Sequence, residues 1–278
     1  MPDGLRLALT TFTVLPVRGP AQLDRRTAGQ AMALGPLMGL LLLLPVGAVL
    51  AGARLLAPDR APELLPCVLA LMTLALLTRG LHLDGLVDTA DALASYRPPE
   101  QAREVAKSPG VGALGVATLV LVLLVQVTAL LASVQDGRGT GSLLTALLTA
   151  RVAVALACTR TPAAVSTGLG ALVARTVPLG TAVFVALLSL AACAAYAALD
   201  DTQTHGAAAV ASMRVLLAVT VGLAVAAVLR RHAVRRLGGL TGDVLGGLVE
   251  VTTAVVLAVM ASDLPRALQD ALGLNLAS

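Results

Sequence analysis

Seven apolar runs, each about as long as a bilayer is thick, leave this chain few ways to fold. They lie near 34–57, 62–78, 112–134, 142–158, 176–199, 207–229 and 244–264. Roughly 20 apolar residues in a helix cross the hydrocarbon core. Inside lipid a backbone must satisfy its own hydrogen bonds, so such runs are helical. The expectation is an all-α, polytopic membrane bundle of about seven transmembrane helices. The chain is 57% hydrophobic, too apolar for a soluble domain of 278 residues. No internal repeat or low-complexity linker divides it, so residues 1–278 are read as a single integral membrane domain. Residues 5–17 are apolar but too short to span, and suit an interfacial segment. The first long run begins only around Leu34, too late for a secretory signal peptide.

The basic residues orient the bundle. Aromatic residues are only 1% of the chain, so arginine, not an aromatic belt, marks the interfaces. Arg6, Arg18, Arg25 and Arg26 precede the first run. Arg79, Arg97, Arg103 and Lys107 follow the second, Arg160 and Arg175 the fourth, and Arg230, Arg231, Arg235 and Arg236 the sixth. Only Arg54, Arg60, Arg138 and Arg266 fall on the alternate side. This asymmetry places the N-terminus in the cytoplasm. A net charge of +4, so dispersed, gives no sign of nucleic-acid binding. Cys67, Cys158 and Cys193 all sit in apolar runs, without metal-ligand or disulfide spacing.

Against this apolar background one stretch stands out: Arg79-Gly80-Leu81-His82-Leu83-Asp84-Gly85-Leu86-Val87-Asp88-Thr89-Ala90-Asp91. Asp84, Asp88 and Asp91 fall at i, i+4 and i+7, on one helical face. Neighbours at that spacing lie about 6 Å apart. At an effective dielectric near 20 their repulsion is on the order of 3 kcal/mol per pair. No lysine or arginine lies between them. A cation relieves the cluster, and oxygen-only ligands favour Mg²⁺ over Zn²⁺.

A second signal is Gly238-Gly239-Leu240-Thr241-Gly242-Asp243, just before the last run. Its glycines permit close backbone approach, and a following helix start favours phosphate. No lysine follows, so it is not a Walker loop. The topology puts it on the same side as the aspartate stretch. Glu250 lies seven residues on, as a proton relay or a partner of the site. His82 is a packed core histidine, a base or a phosphate contact. Arg79 is a membrane-edge anchor, a phosphate contact, or both. Arg151, inside a run, must snorkel, pair with a carboxylate or meet an anionic substrate. Carboxylates with a divalent ion, a glycine loop and arginines suit phosphoryl transfer.

The stretch from Arg79 to Asp91 resembles the signature of the cobalamin synthase family, bacterial membrane enzymes also called adenosylcobinamide-GDP ribazoletransferases. The resemblance extends to Leu15-Pro16-Val17, Gly35-Pro36-Leu37-Met38-Gly39-Leu40, Gly168-Leu169-Gly170 and the run from Gly238 to Gly246 with Glu250 following. It implies Mg²⁺-dependent transfer of the cobinamide phosphate from adenosylcobinamide-GDP to α-ribazole, or its 5′-phosphate, with release of GMP. It further implies a bacterial inner-membrane location with the active face cytoplasmic. Carried onto this chain, Asp84 is metal ligand or base, with His82 beside it as a catalytic residue. Asp84, Asp88, Asp91 and Asp243 would hold Mg²⁺. Arg79, Gly239, Thr241, Gly242 and Arg151 would meet substrate. The chain departs from the family pattern at Ala92, in the acid-free segment Lys107 to Gly112, and at Val165-Ser166-Thr167. Expected partners are the two substrates and membrane lipid, and a homo-oligomer is compatible with the reading. A transporter with intramembrane carboxylates as ion or proton sites is the alternative, but the halves show no inverted repeat. A CDP-alcohol phosphotransferase is disfavoured because Val87 and Asp88 stand where its motif has Ala-Arg.

Overall fold

The computed structural model describes residues 1–56, 63–108, 110–200 and 208–263. The expected turn at Pro58-Asp59-Arg60 and the C-terminal tail lie outside the described residues, as does the expected loop at 200–203 apart from Asp200, which ends a helix. Among the described residues twelve helices follow one another: α1 Asp3–Phe12, α2 Arg25–Ala33, α3 Gly35–Leu56, α4 Leu64–Leu77, α5 Leu81–Ala94, α6 Pro99–Ala106, α7 Ala113–Gln135, α8 Gly139–Arg160, α9 Gly168–Val173, α10 Leu179–Asp200, α11 Ala208–Leu237 and α12 Gly242–Ala261. Six of them, α3, α7, α8, α10, α11 and α12, are long and apolar enough to cross a membrane. The pair α4 and α5 passes that test only together, and the two meet at 88°. Six of the seven expected runs are therefore single spanning helices, and the second, 62–78, is α4, which reaches a span's length only with α5.

Burial separates the bundle's centre from its rim. The apolar windows of α8 and α12 are 89% and 72% buried within the protein, against 22% for α7 and 17% for α10. Composition explains the difference. Helix α8 is rich in small residues, with Ser142, Thr145, Ala146, Thr149, Ala150 and Ala153 all buried. Small side chains let helix backbones approach closely where apolar bulk gains nothing over lipid. Helices α7 and α10 instead present Leu121, Leu124, Phe184, Leu187 and Leu188 outward.

Helix α11 corrects one expectation. It does not end with the apolar run at 229: the basic segment from Arg230 to Arg236 continues it through Leu237. Nothing between Arg230 and Leu237 breaks a helix. The first breaker is Gly238, whose φ of 86° ends it. At 1.5 Å per residue this helix outruns the hydrocarbon core, so its basic end stands clear of it.

Two local devices set the angle of α5. Arg79 adopts φ 57° and Gly80 φ 64°. Gly80 N–H donates to Ala75 O at 2.8 Å and Arg79 N–H to Leu76 O at 3.0 Å. Together these close a Schellman end to α4 and turn the chain sharply. Two contacts from the N-terminal segment then hold the corner: Val14 N–H donates to Leu77 O at 2.8 Å, and Arg79 Nη2 to Thr10 O at 2.8 Å. The second device is the contact of α5 with α12. A Cβ built on Gly85 would lie 2.8 Å from Asp243 O, 3.0 Å from Asp243 Cα and 3.1 Å from Gly246 Cα. All three are backbone atoms, so only glycine lets the helices approach this closely.

Gly85→Ala should therefore destabilise the protein by about 1–3 kcal/mol, despite alanine's better helix propensity. Gly47→Ala, where a Cβ meets nothing within 4 Å, should be neutral or stabilise by up to about 1 kcal/mol. Thermal unfolding of both variants in one detergent checks the contrast. Equal midpoints would remove the close packing from the explanation.

Candidate active site

The contact at Gly85 brings the two sequence signals together. A cavity of about 350 Å³ lies over it, walled by α5, α6, α9 and the start of α12, with Thr11, Phe12 and Met32 from the N-terminal helices. Asp84 and Asp88 enter from α5 and Asp243 from α12. Asp84 is exposed, while Asp88 and Asp243 are half-buried. The charges of Asp84, Asp243 and Asp91 all act on Asp88. Among the described residues, no three His, Cys, Asp or Glu side chains converge closely enough to enclose a metal ion unaided.

Asp91 points elsewhere. Its carboxylate accepts from Gly112 N–H and Gly115 N–H, both at 2.7 Å, and it does not line the cavity. It caps the N-terminus of α7, where a negative charge also suits the helix dipole. The i, i+7 spacing does keep it on the face of Asp84. However, seven residues of helix carry it about 10 Å along the axis, where it meets α7 rather than the cavity.

The glycine loop is built as a staple. Leu240 N–H donates to Pro162 O at 2.7 Å and Ala164 N–H to Leu240 O at 3.1 Å. Gly239 lies so close to the backbone of Ala163 and Ala164 that no side chain fits there. Its task is packing, and it does not line the cavity. Thr241 caps α12 by accepting Val244 N–H at 3.1 Å, and both it and Gly242 line the cavity. Arg25 donates to the carbonyls of Ala171 and Ala174, which holds α9 against α2. Arg25 follows Asp24, which caps α2 by accepting Thr27 N–H at 2.7 Å. That bond holds the Asp24 carboxyl below its usual range.

His82 is buried and lines the cavity, with its ring centroid 6.3 Å from that of Phe12. Its Nε2 has no hydrogen-bond partner among the described residues. Arg79 is committed to the Thr10 carbonyl and is not part of the cavity wall. Arg151 is also outside the wall, in the middle of α8 and 1% exposed. Among the described residues its three guanidinium nitrogens have no hydrogen-bond partner, and the charge of Glu250 on α12 acts on it. Glu250 accepts from Gln126 Nε2 at 2.8 Å, which ties α7 to α12.

Two residues escaped the sequence reading as site residues: Arg103 on α6 and Lys107, the C-cap of that helix, both line the cavity. The sequence showed them only as charges on the basic side. Four positions where the chain departs from the pattern it resembles, Ala92, Lys107, Val165 and Thr167, also stand on this wall.

Comparison with known proteins agrees with the geometry. The family model described as cobalamin-5-phosphate synthase matches residues 4–261. A protein of Frankia casuarinae named adenosylcobinamide-GDP ribazoletransferase is 45% identical, over 97% of this chain and 98% of its own. Proteins with the same name from Nocardioides sp. and Stutzerimonas stutzeri are 40% and 35% identical. They cover 92% and 94% of this chain, and 97% and 99% of their own. No solved structure matches.

The position of Asp91 gives a test. Asp91→Ala should lose about 1–2 kcal/mol of stability as the cap of α7 is lost, and Asp91→Asn less. Amide exchange at Gly112 and Gly115 should quicken in step. Unchanged exchange in the alanine variant would return Asp91 to the cavity.

Proposed function

Because the chain belongs to the cobalamin-5-phosphate synthase family, we propose that this cavity carries out ribazole transfer: cobinamide phosphate passes from adenosylcobinamide-GDP to α-ribazole or its 5′-phosphate. One observation carries the reading. Carboxylates from the aspartate stretch and from the glycine-loop helix, far apart in sequence, meet in one cavity. The ribose hydroxyl oxygen of the acceptor attacks the phosphorus that bears cobinamide. The bond from that phosphorus to the bridging oxygen breaks, and GMP leaves with that oxygen. The hydroxyl proton passes to a carboxylate, for which Asp84, the exposed one, is placed. His82, whose Nε2 lacks a partner, would hydrogen-bond to the reacting groups.

The donor set suits Mg²⁺. This ion takes oxygen ligands, binds through one or two carboxylates, and completes its shell with water and substrate phosphates. A preformed protein cage is therefore not required. Asp84, Asp88 and Asp243 would hold it, and it would neutralise the diphosphate and the charge on the leaving oxygen. Asp91 has no share in this, because its oxygens are bound to α7. Thr241 and Gly242 would border the substrate, with Gly239 shaping the loop beneath. Arg79 and Arg151 would act through packing rather than contact with substrate. The protein is a multi-pass bacterial membrane protein. The cavity wall carries Arg103 and Lys107, on the side favoured by basic residues, which supports a cytoplasmic active face at the inner membrane.

Purified protein should release GMP from adenosylcobinamide-GDP when acceptor and Mg²⁺ are supplied, and stop when the metal is chelated. Asp84→Asn should lower kcat at least about 100-fold with thermal unfolding unchanged. Full turnover in the presence of chelator would sink the metal assignment. Full turnover by the asparagine variant would sink the role of Asp84.

A further inference from the structure

The charges in the cavity are sorted by wall. Asp84, Asp88 and Asp243 stand on α5 and α12, and Arg103 and Lys107 on α6. Lys107 and Asp243 attract one another, yet neither cation pairs with a cavity carboxylate. The ion pairs found among the described residues are Arg6 with Asp3 and Arg138 with Asp136. Among the described residues no ion pair joins the two sets, so both remain available to bound groups of opposite sign. Arg103 Nη1 donates to Leu237 O at 2.6 Å, at the end of α11, which fixes the guanidinium and leaves its other N–H groups. Pro99 at the start of α6 and the contacts of α6 with α5 and α11 fix the helix itself. Residues four apart on a helix share a face, so both cations present one surface.

We propose that Arg103 and Lys107 form an anion-holding wall that takes a phosphate group of the acceptor or of the departing nucleotide, opposite the carboxylates. The inference rests on the transferase reading and adds to it. A divalent ion on the carboxylate side leaves one further anionic group to be neutralised, and α6 supplies the charge. The group is either the phosphate of the departing nucleotide or the 5′-phosphate of the acceptor, and the two share this chemistry. Lys107, exposed and without a side-chain hydrogen bond among the described residues, is the adjustable contact. Arg103 is the fixed one.

The test uses the full-length protein in detergent with Lys107→Gln, Lys107→Arg and Arg103→Lys. The probes are GMP, α-ribazole and α-ribazole 5′-phosphate, with binding and steady-state kinetics measured for each. Removing one charge-assisted hydrogen bond should weaken the phosphorylated ligand about ten-fold or more. Lys107→Arg should restore most of it, and thermal unfolding of Lys107→Gln should match wild type because the side chain is exposed. If the acceptor's phosphate sits here, Lys107→Gln raises KM for α-ribazole 5′-phosphate and leaves that for α-ribazole alone. If the nucleotide's phosphate sits here, GMP binding and the KM for adenosylcobinamide-GDP suffer with either acceptor. Wild-type affinity of Lys107→Gln and Arg103→Lys for both phosphorylated probes overturns the wall. Charge-dependent binding without any GMP release by the wild type would instead overturn the transferase reading and leave the wall standing.

Discussion

The approach of α5 to α12 at Gly85 and Gly246 decides what this molecule can do. A Cβ on Gly246 would lie 3.1 Å from the carbonyl oxygen of His82 and from Gly85 Cα. With side chains removed from the contact, the backbones themselves touch, and Asp84 and Asp243 come to the same edge. Larger residues would separate the helices and with them the carboxylates. Packing and chemistry here are one constraint, because the residues that allow contact adjoin the residues that line the cavity. The 88° corner between α4 and α5 serves the same end. It turns α5 away from the course of α4, so that its acidic face is delivered to the glycine loop.

Much of this was legible in the sequence because hydropathy and charge act over long stretches. Runs of apolar residues predict spans, and their limits agree with the helices to within a few residues except at the basic end of α11. The alternation of Arg and Lys predicted that the aspartate stretch and the glycine loop share a side, and they share a cavity. The less legible parts depend on depth along a helix and on where a short helix folds back. Periodicity shows that Asp91 shares the face of Asp84 but is blind to what stands opposite each turn. Arg79 reads from the sequence as a membrane-edge anchor, a phosphate contact or both, and its guanidinium closes the corner against α1. Arg103 and Lys107 looked like topology charges because nothing in the sequence tells which way α6 returns.

The buried cluster of Arg151, Glu250 and Gln126 raises a different question. A guanidinium 1% exposed in the centre of a bundle is costly unless its charge is balanced. The charge of Glu250 acts on it from α12, and Gln126 holds Glu250 from α7. The hydrogen bond thus links α7 to α12, while the charge attraction runs between α12 and α8, whose apolar windows are the most buried. Because lipid and protein interior are about equally apolar, such polar interactions favour one register where apolar contact alone discriminates little.

That register matters at the cavity floor. Val249 lines the cavity and Glu250, the next residue, belongs to the buried cluster. A turn or more towards the N-terminus, Leu245 and Gly246 also line the cavity, and Gly246 makes the contact with α5. Along two turns of α12 the chain therefore passes from acid in the cavity, through a glycine contact, to a buried glutamate held by Gln126. A shift of α12 by one residue would rotate Asp243 by about 100° and carry Glu250 off Gln126. The hydrogen bond deep in the bundle and the acidic wall above it are therefore fixed by the same helix position. An apolar scaffold gains chemical definition here because a few buried polar groups favour one alignment of helices over the neighbouring ones.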